Sequence, residues 1–156
     1  MKKVAIFLII CFFRLGSIFA DGALGTWNAY MAYRNVTAIA PVGNTIYALS
    51  SGDLFNYNTT DQTVTLFDKA NNLSDSEISL IAYSSTYKVL IVVYSNSNID
   101  LIDDDDDVTN LSDIYAKSTT EDKTVNSIMT SGNYAYLSTN LGIIILNLKK
   151  QEKNLM

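Results

Sequence analysis

The sequence predicts an all-β fold of about three repeated, four-stranded antiparallel units, and three observations support this prediction. Short runs rich in β-branched and aromatic residues recur along the chain. Turn-forming residues, such as Gly43-Asn44 and Ser131-Gly132-Asn133, separate these runs. Ile39, Ile81 and Ile128 occupy matching places in three similar segments, at spacings of about 42 and 47 residues. A period of this length with several short strands is typical of β-propeller blades, here forming an incomplete propeller.

The first twenty residues have the pattern of a secretory signal peptide. Lys2 and Lys3 form a positively charged start, and an unbroken apolar run follows from Val4 to Phe13. Arg14 interrupts the apolar segment before it reaches the roughly twenty residues that a transmembrane helix needs. We therefore expect residues 1–20 to be a cleaved signal peptide, with no stable membrane span after its removal.

Cleavage, which we expect after Ala20 or Ala23, changes the composition of the chain. Three of the eleven basic residues and the only cysteine, Cys11, lie in the removed segment, so eight basic residues remain against sixteen acidic ones. This balance argues against a nucleic-acid partner. An exported protein without disulfides suits a bacterial envelope better than a eukaryotic secretory route. We expect it in the periplasm, the outer membrane or at the cell surface of a Gram-negative bacterium.

An N-terminal edge segment is predicted over residues 21–35, before the first blade. Its aromatic residues, Trp27, Tyr30 and Tyr33, are expected to cover an exposed sheet edge and are also the candidates for binding a partner. The partial propeller follows over residues 36–156. Its blades are predicted at about residues 36–70, 78–114 and 125–156.

Two kinds of strand stand out within these blades. Val64 to Phe67 and the region near Val108 to Leu111 are predicted as the outer strands of the first and second blades. The apolar runs Val89 to Val93 and Ile143 to Leu146 are continuous over about five residues. Such runs are typical of strands that pack between two neighbouring sheets, with both faces buried.

Several pieces of sequence occur in an order that extends over essentially all of the chain after the signal peptide. They are Trp27 to Tyr33, Asn44-Thr45-Ile46-Tyr47-Ala48, Leu54-Phe55-Asn56-Tyr57, Asn72-Leu73-Ser74-Asp75, Asn98-Ile99-Asp100-Leu101-Ile102, Asn110-Leu111-Ser112-Asp113-Ile114, Asp122-Lys123-Thr124-Val125-Asn126 and Ala135-Tyr136-Leu137-Ser138. In this order they resemble the N-terminal propeller of the PorZ family of type IX secretion proteins in Bacteroidota, which is related to the propeller repeats of two-component regulators.

The resemblance implies a non-catalytic, exported module. Family members are expected to act at the outer membrane, in a complex that attaches exported cargo to surface lipopolysaccharide. The implied partners are proteins of the envelope or secretion machinery, or a surface glycan. The chain departs from the pattern at Asp53, which lies inside the expected Gly-Leu-Phe hairpin.

The length of the chain differs from that of a complete propeller. Propellers typically close with four to eight blades, and family members are expected to be several times longer. We therefore expect a truncated copy or a gene fragment. Its first and last blades would each expose an apolar face to water, which favours association.

The run from Asp103 to Asp107 is the one conspicuous charged feature of the sequence. Five adjacent carboxylates repel one another, so we expect a solvated loop between strands. The alternative is a calcium site formed by Asp103, Asp105 and Asp107, because Ca²⁺ prefers several oxygen ligands. Calcium loops, however, space their carboxylates with intervening residues and a glycine. We therefore expect no metal and no cofactor.

Enzyme activity is not expected. The chain contains no histidine, which excludes Ser-His-Asp and Cys-His catalysis and histidine-ligated metals. Phosphate-binding glycine loops and nucleophile elbows are also missing from the sequence. Two other functions remain open: the periplasmic sensor propeller of a hybrid two-component regulator, and a glycan-processing enzyme with paired carboxylates in a central pocket.

Overall fold

The computed structural model describes residues 34–151, which form eleven strands in three antiparallel sheets. Sheet 1 contains β1 (Val36–Val42), β2 (Thr45–Ser50), β3 (Asp53–Asn58) and β4 (Val64–Phe67); sheet 2 contains β5 (Ile78–Ser84), β6 (Val89–Tyr94), β7 (Ile99–Ile102) and β8 (Val108–Leu111); sheet 3 contains β9 (Val125–Ser131), β10 (Tyr134–Thr139) and β11 (Gly142–Asn147). Each sheet is a meander in which consecutive strands are neighbours. The predicted all-β class is confirmed, and the open sheets are consistent with incomplete propeller blades.

Short helices connect or follow the strands. One α-helical turn, α1 (Asp113–Ala116), precedes β9, and 3-10 turns occur at Lys69–Asn71 and Leu148–Gln151. No helix of the described residues is long and apolar enough to cross a membrane. The predicted signal peptide of residues 1–20 lies outside the described residues, as do the candidate partner-binding residues Trp27, Tyr30 and Tyr33.

Strand register confirms that the three isoleucines recognised in the sequence are equivalent. Ile39 pairs with Ala48, Ile81 with Val92 and Ile128 with Leu137, always between the first and second strands of a sheet. The first hairpins of sheets 1 and 3 turn at Gly43 and Gly132, whose φ angles are 58° and 54°. Glycine adopts this left-handed conformation without the steric cost that other residues have. The turns therefore recur at the same place in the repeat.

Sheet 2 lies between the other two sheets and contributes residues to both hydrophobic cores. Leu90 and Val92 belong to the core shared with sheet 1, whereas Ile91 and Val93 belong to the core shared with sheet 3. Because neighbouring strand residues point to opposite faces, a strand packed on both sides must be apolar throughout. The predicted burial of both faces is confirmed for β6.

The same prediction is wrong for β11, the strand that contains the run Ile143 to Leu146. Ile143 and Ile145 are 76% and 57% exposed, while Ile144 and Leu146 pack against the core shared with sheet 2. The physical reason is that the described part of the chain contains no further sheet against this side of β11.

A buried carboxylate in sheet 2 accepts a hydrogen bond from the segment that follows sheet 1. Asp100 of β7 is 0% exposed, and it accepts hydrogen bonds from the Tyr94 hydroxyl at 2.5 Å, the Ser74 backbone N–H at 2.8 Å and the Asn110 side-chain amide at 2.7 Å. Burial and the contact with Asp100 raise the pKa of Tyr94, so its hydroxyl remains a donor. Leu73, next to Ser74, is buried in the core between sheets 1 and 2.

Candidate functional site

Five aspartates, residues 103–107, connect β7 to β8 and are called the acidic turn below. Asp103 organises this turn: its Oδ1 accepts hydrogen bonds from the backbone N–H groups of Asp105 and Asp107, both at 3.0 Å. The backbone N–H of Asp106 donates to the Asp103 carbonyl at 3.1 Å, and Asp106 has a φ angle of 61°. The other four residues of the turn are exposed.

Two tyrosines lie in the electrostatic field of the acidic turn. Burial raises the pKa of Tyr47, and the negative charge of Asp106 raises it further. Burial and the charge of Asp104 likewise raise the pKa of Tyr83. Lys88 forms an exposed ion pair with Asp104 at 3.3 Å, a kind of contact that contributes little to stability. The acidic turn therefore remains a strongly negative surface with aromatic neighbours.

A groove runs from the end of the first blade to the acidic turn. Its volume is about 320 Å³, and its lining residues are Thr65, Leu66, Phe67, Ala70, Asn72 and Asp106. Partial burial raises the pKa of Asp106, and the neighbouring charges of Asp103 and Asp105 add to this effect. A concave surface with one negative wall is suited to a positively charged segment of a partner.

The calcium hypothesis has no supporting geometry in the acidic turn. Oδ1 of Asp103 accepts two backbone hydrogen bonds. Residues 34–151 contain no group of three or more acidic, histidine or cysteine side chains placed to hold a metal ion. The expectation of no metal stays a prediction, and a calcium site at Asp103, Asp105 and Asp107 stays the untested alternative.

The sequence predicted the acidic turn as a loop but missed its neighbours. In a four-stranded meander, the turns β5–β6 and β7–β8 lie at the same end of the sheet, which brings Lys88 to Asp104. This signal was available once the strands were assigned. The positions of Tyr47 and of the groove beside the acidic turn depend on how sheet 1 packs against sheet 2, and strand patterns do not define that packing.

Comparison with known proteins identifies similar domains. The family model of the TSS9, PorZ, N-terminal beta-propeller domain matches residues 46–154. A solved structure of PorZ, described as an essential bacterial surface component of the type IX secretion system of Porphyromonas gingivalis, is 30% identical with a TM-score of 0.75. The similarity covers 81% of this chain but only 17% of that chain.

A second solved structure shares the fold. It is the extracellular domain described as that of a one component system from B. thetaiotaomicron, with 19% identity and a TM-score of 0.54. The match covers 67% of this chain and 14% of that chain. No curated protein sequence gives a significant match.

Proposed function

The chain belongs to the family of PorZ N-terminal β-propeller domains of type IX secretion, and from this membership we propose that it is an exported, non-catalytic binding module. The observation that carries the proposal is the family match over residues 46–154. The similarity of the three sheets to the PorZ structure supports it. Export is supported by the signal-peptide pattern of residues 1–20.

The proposed partner is a protein of the envelope or of the secretion machinery. The process in which we propose that the module takes part is the attachment of cargo to the cell surface. PorZ itself is described as a surface component of that machinery. The acidic turn and the adjoining groove offer a negative, concave surface near the end of two blades. Such a surface attracts a basic partner over roughly the Debye length, so binding should weaken as salt is added.

A non-catalytic role agrees with the chemistry of the chain. The absence of histidine removes the commonest general base and the usual activator of serine nucleophiles. In the acidic turn, the Asp103 carboxylate accepts two backbone hydrogen bonds that shape the turn, and Asp106 lines the groove. Hydrolysis of a glycan panel, abolished by changing one carboxylate, would replace the binding proposal with an enzymatic one.

Affinity isolation from an envelope fraction tests the proposed partner. The tagged chain should recover components of the secretion machinery, and the Asp105→Lys variant should recover about tenfold less of a basic partner because its charge on the acidic turn is reversed. Glu121→Lys is the matched control, since it makes the same change of charge at an exposed residue outside the turn. Equal recovery by both variants would contradict a role for the acidic turn.

The alternative, a sensor propeller of a two-component regulator, is the weaker fit because its structural support is a shared fold at 19% identity. The same isolation separates the two functions. Histidine kinases in place of secretion components would support the sensor and contradict the proposed module.

A further inference from the structure

A small pocket lies between sheets 1 and 2, where the β2–β3 turn meets the segment that leads into β5. Its volume is about 50 Å³. One water occupies roughly 10–15 Å³ of such space, so the pocket has room for a group of a few heavy atoms. Phe67 is the one lining residue that this pocket shares with the groove beside the acidic turn. The two concave surfaces are therefore adjacent but distinct.

The pocket has an apolar floor and an acidic rim. The floor consists of Phe67, Leu73 and Ile78, which are all buried in the core shared by sheets 1 and 2. The rim includes the carboxylates of Asp53 and Asp75. An alkyl stem that entered the pocket would contact the floor, and a positive charge at its end would lie beside the rim.

Gly52, which lines the pocket, has an equivalent in the second sheet. Leu54 and Ile99 hold equivalent places in the third strands of sheets 1 and 2. Gly52 and Ser97 each lie two residues earlier, and both have a positive φ angle, of 89° and 69°. The same backbone turn therefore carries a hydroxymethyl side chain in the second repeat and none in the first.

The two interfaces between sheets differ at this place. The Ser97 hydroxyl donates a hydrogen bond to the Lys123 carbonyl at 2.8 Å and so bridges the turn to the segment that leads into β9. Ser76, the equivalent of Lys123, lines the pocket. A Cβ added to Gly52 would contact the Cα of Glu77 at 3.6 Å, an ordinary van der Waals distance. The first interface thus keeps an opening that a side chain bridges in the second.

The charges of the rim favour a cation. Lys69 Nζ lies 3.0 Å from Asp75 Oδ1, so the wall of the pocket already holds one ammonium group. Asp53 is exposed, and within residues 34–151 its carboxylate forms no hydrogen bond or ion pair. A second ammonium group would find its counter-charge at Asp53.

We propose that this pocket binds a lysine side chain of the partner protein, with the alkyl stem on the apolar floor and the ammonium group beside Asp53. The inference rests on the proposed function, because it gives the partner a second contact besides the acidic turn. A hydrogen bond between two charged groups is stronger than one between neutral groups, and complementary charges select the partner. Both sheets beside the pocket belong to residues 34–151, so another blade of a longer chain has no place between them.

Titration of the full chain with n-butylammonium tests the pocket without the partner. In amide NMR spectra, saturable shifts should be concentrated at Gly52, Asp53 and Ser76. n-Butanol has the same stem without the charge and should cause no such shifts. Shifts that n-butanol reproduces, or the absence of saturable shifts with n-butylammonium, would overturn the proposal.

Variants of two exposed aspartates identify the carboxylate that binds. Asp53→Asn should weaken n-butylammonium binding about tenfold, because the charged acceptor is lost. Asp61→Asn is the matched control, since it makes the same change at an exposed residue between β3 and β4, and it should leave binding unchanged. Equal affinity of the two variants would show that Asp53 does not hold the ammonium group.

The isolation from an envelope fraction separates this proposal from the proposed function. Asp53→Lys should recover about tenfold less of the partner than Asp61→Lys, because it places a positive charge beside the incoming lysine. Undiminished recovery by Asp53→Lys would overturn the pocket as a partner contact and leave the binding module standing. Failure of the unchanged chain to recover secretion components would contradict the binding module, and the assignment of the pocket to a partner with it.

Discussion

Asp100 is a fully buried polar residue whose hydrogen bonds should stabilise the fold. Asp100→Ala should lower the free energy of unfolding by about 3 kcal/mol, because the Tyr94 hydroxyl and the Ser74 N–H would be left buried without their acceptor. Urea denaturation measures this change. Asp105→Ala, on the exposed acidic turn, is the control and should change stability by no more than about 0.5 kcal/mol. Similar effects of the two substitutions would contradict the anchoring role of Asp100.

Carboxylates in the segments that lead into sheets 2 and 3 should make stability depend on pH. A hydrogen bond from the Ser76 N–H lowers the pKa of Asp75, with further contributions from the Asn96 side chain and Lys69. Hydrogen bonds from Thr124 lower the pKa of Asp122 in the same way.

Because folding lowers these two pKa values, the stabilising effect is present above the pKa of the unfolded chain, about 4, and is lost as the pH falls through the folded values. Thermal melting between about pH 2 and pH 5 should show the decline, and Asp75→Asn should make it shallower. Glu121→Gln serves as the control for removing one exposed charge. An Asp75→Asn profile identical to that of the unchanged chain would contradict the linkage.

Sequence reasoning recognised the motif around Asp100 and the Asn-Leu-Ser-Asp segment but not the bond between them. An aspartate within an apolar strand indicates a buried carboxylate, and a buried carboxylate needs hydrogen-bond partners. Ser74 and Asp100 are 26 residues apart in the sequence. They meet only because the segment between β4 and β5, which contains Ser74, packs on sheet 2.

At the level of elements, β6 is the strand whose packing the fold requires most. Ile91→Ala should lower the free energy of unfolding by about 2–5 kcal/mol, since Ile91 is fully buried against sheet 3. Ile143→Ala makes the same chemical change at an exposed strand position and should cost about 0.5 kcal/mol or less. Equal losses of stability in urea denaturation would contradict the central position of sheet 2.

The strands themselves were predictable because turns and β-branched runs recur with the repeat. The outer strands Val64–Phe67 and Val108–Leu111 occur where the sequence predicted them. The exposure of one face of β11 was not predictable, because β6 and β11 have similar apolar runs and differ only in what packs against them. The four-residue helix α1 is too short to have a helical periodicity that the sequence could show.

At the scale of the whole molecule, the repeat explains both the internal packing and the family relationship. Two interfaces of one kind join three sheets, and the family match begins inside β2 and extends past β11. The acidic turn adds a negative surface to this frame. Function at this scale does not follow from strand patterns, because many unrelated activities use the same fold.

The central proposal is that this chain serves type IX secretion as a PorZ-type binding module. Its most direct test is the amount of secreted cargo attached to the cell surface in a strain that lacks the chain. We expect surface cargo to fall and to be restored by the unchanged chain, but only in part by the Asp105→Lys variant. Unchanged surface cargo in the deletion strain would contradict the claim.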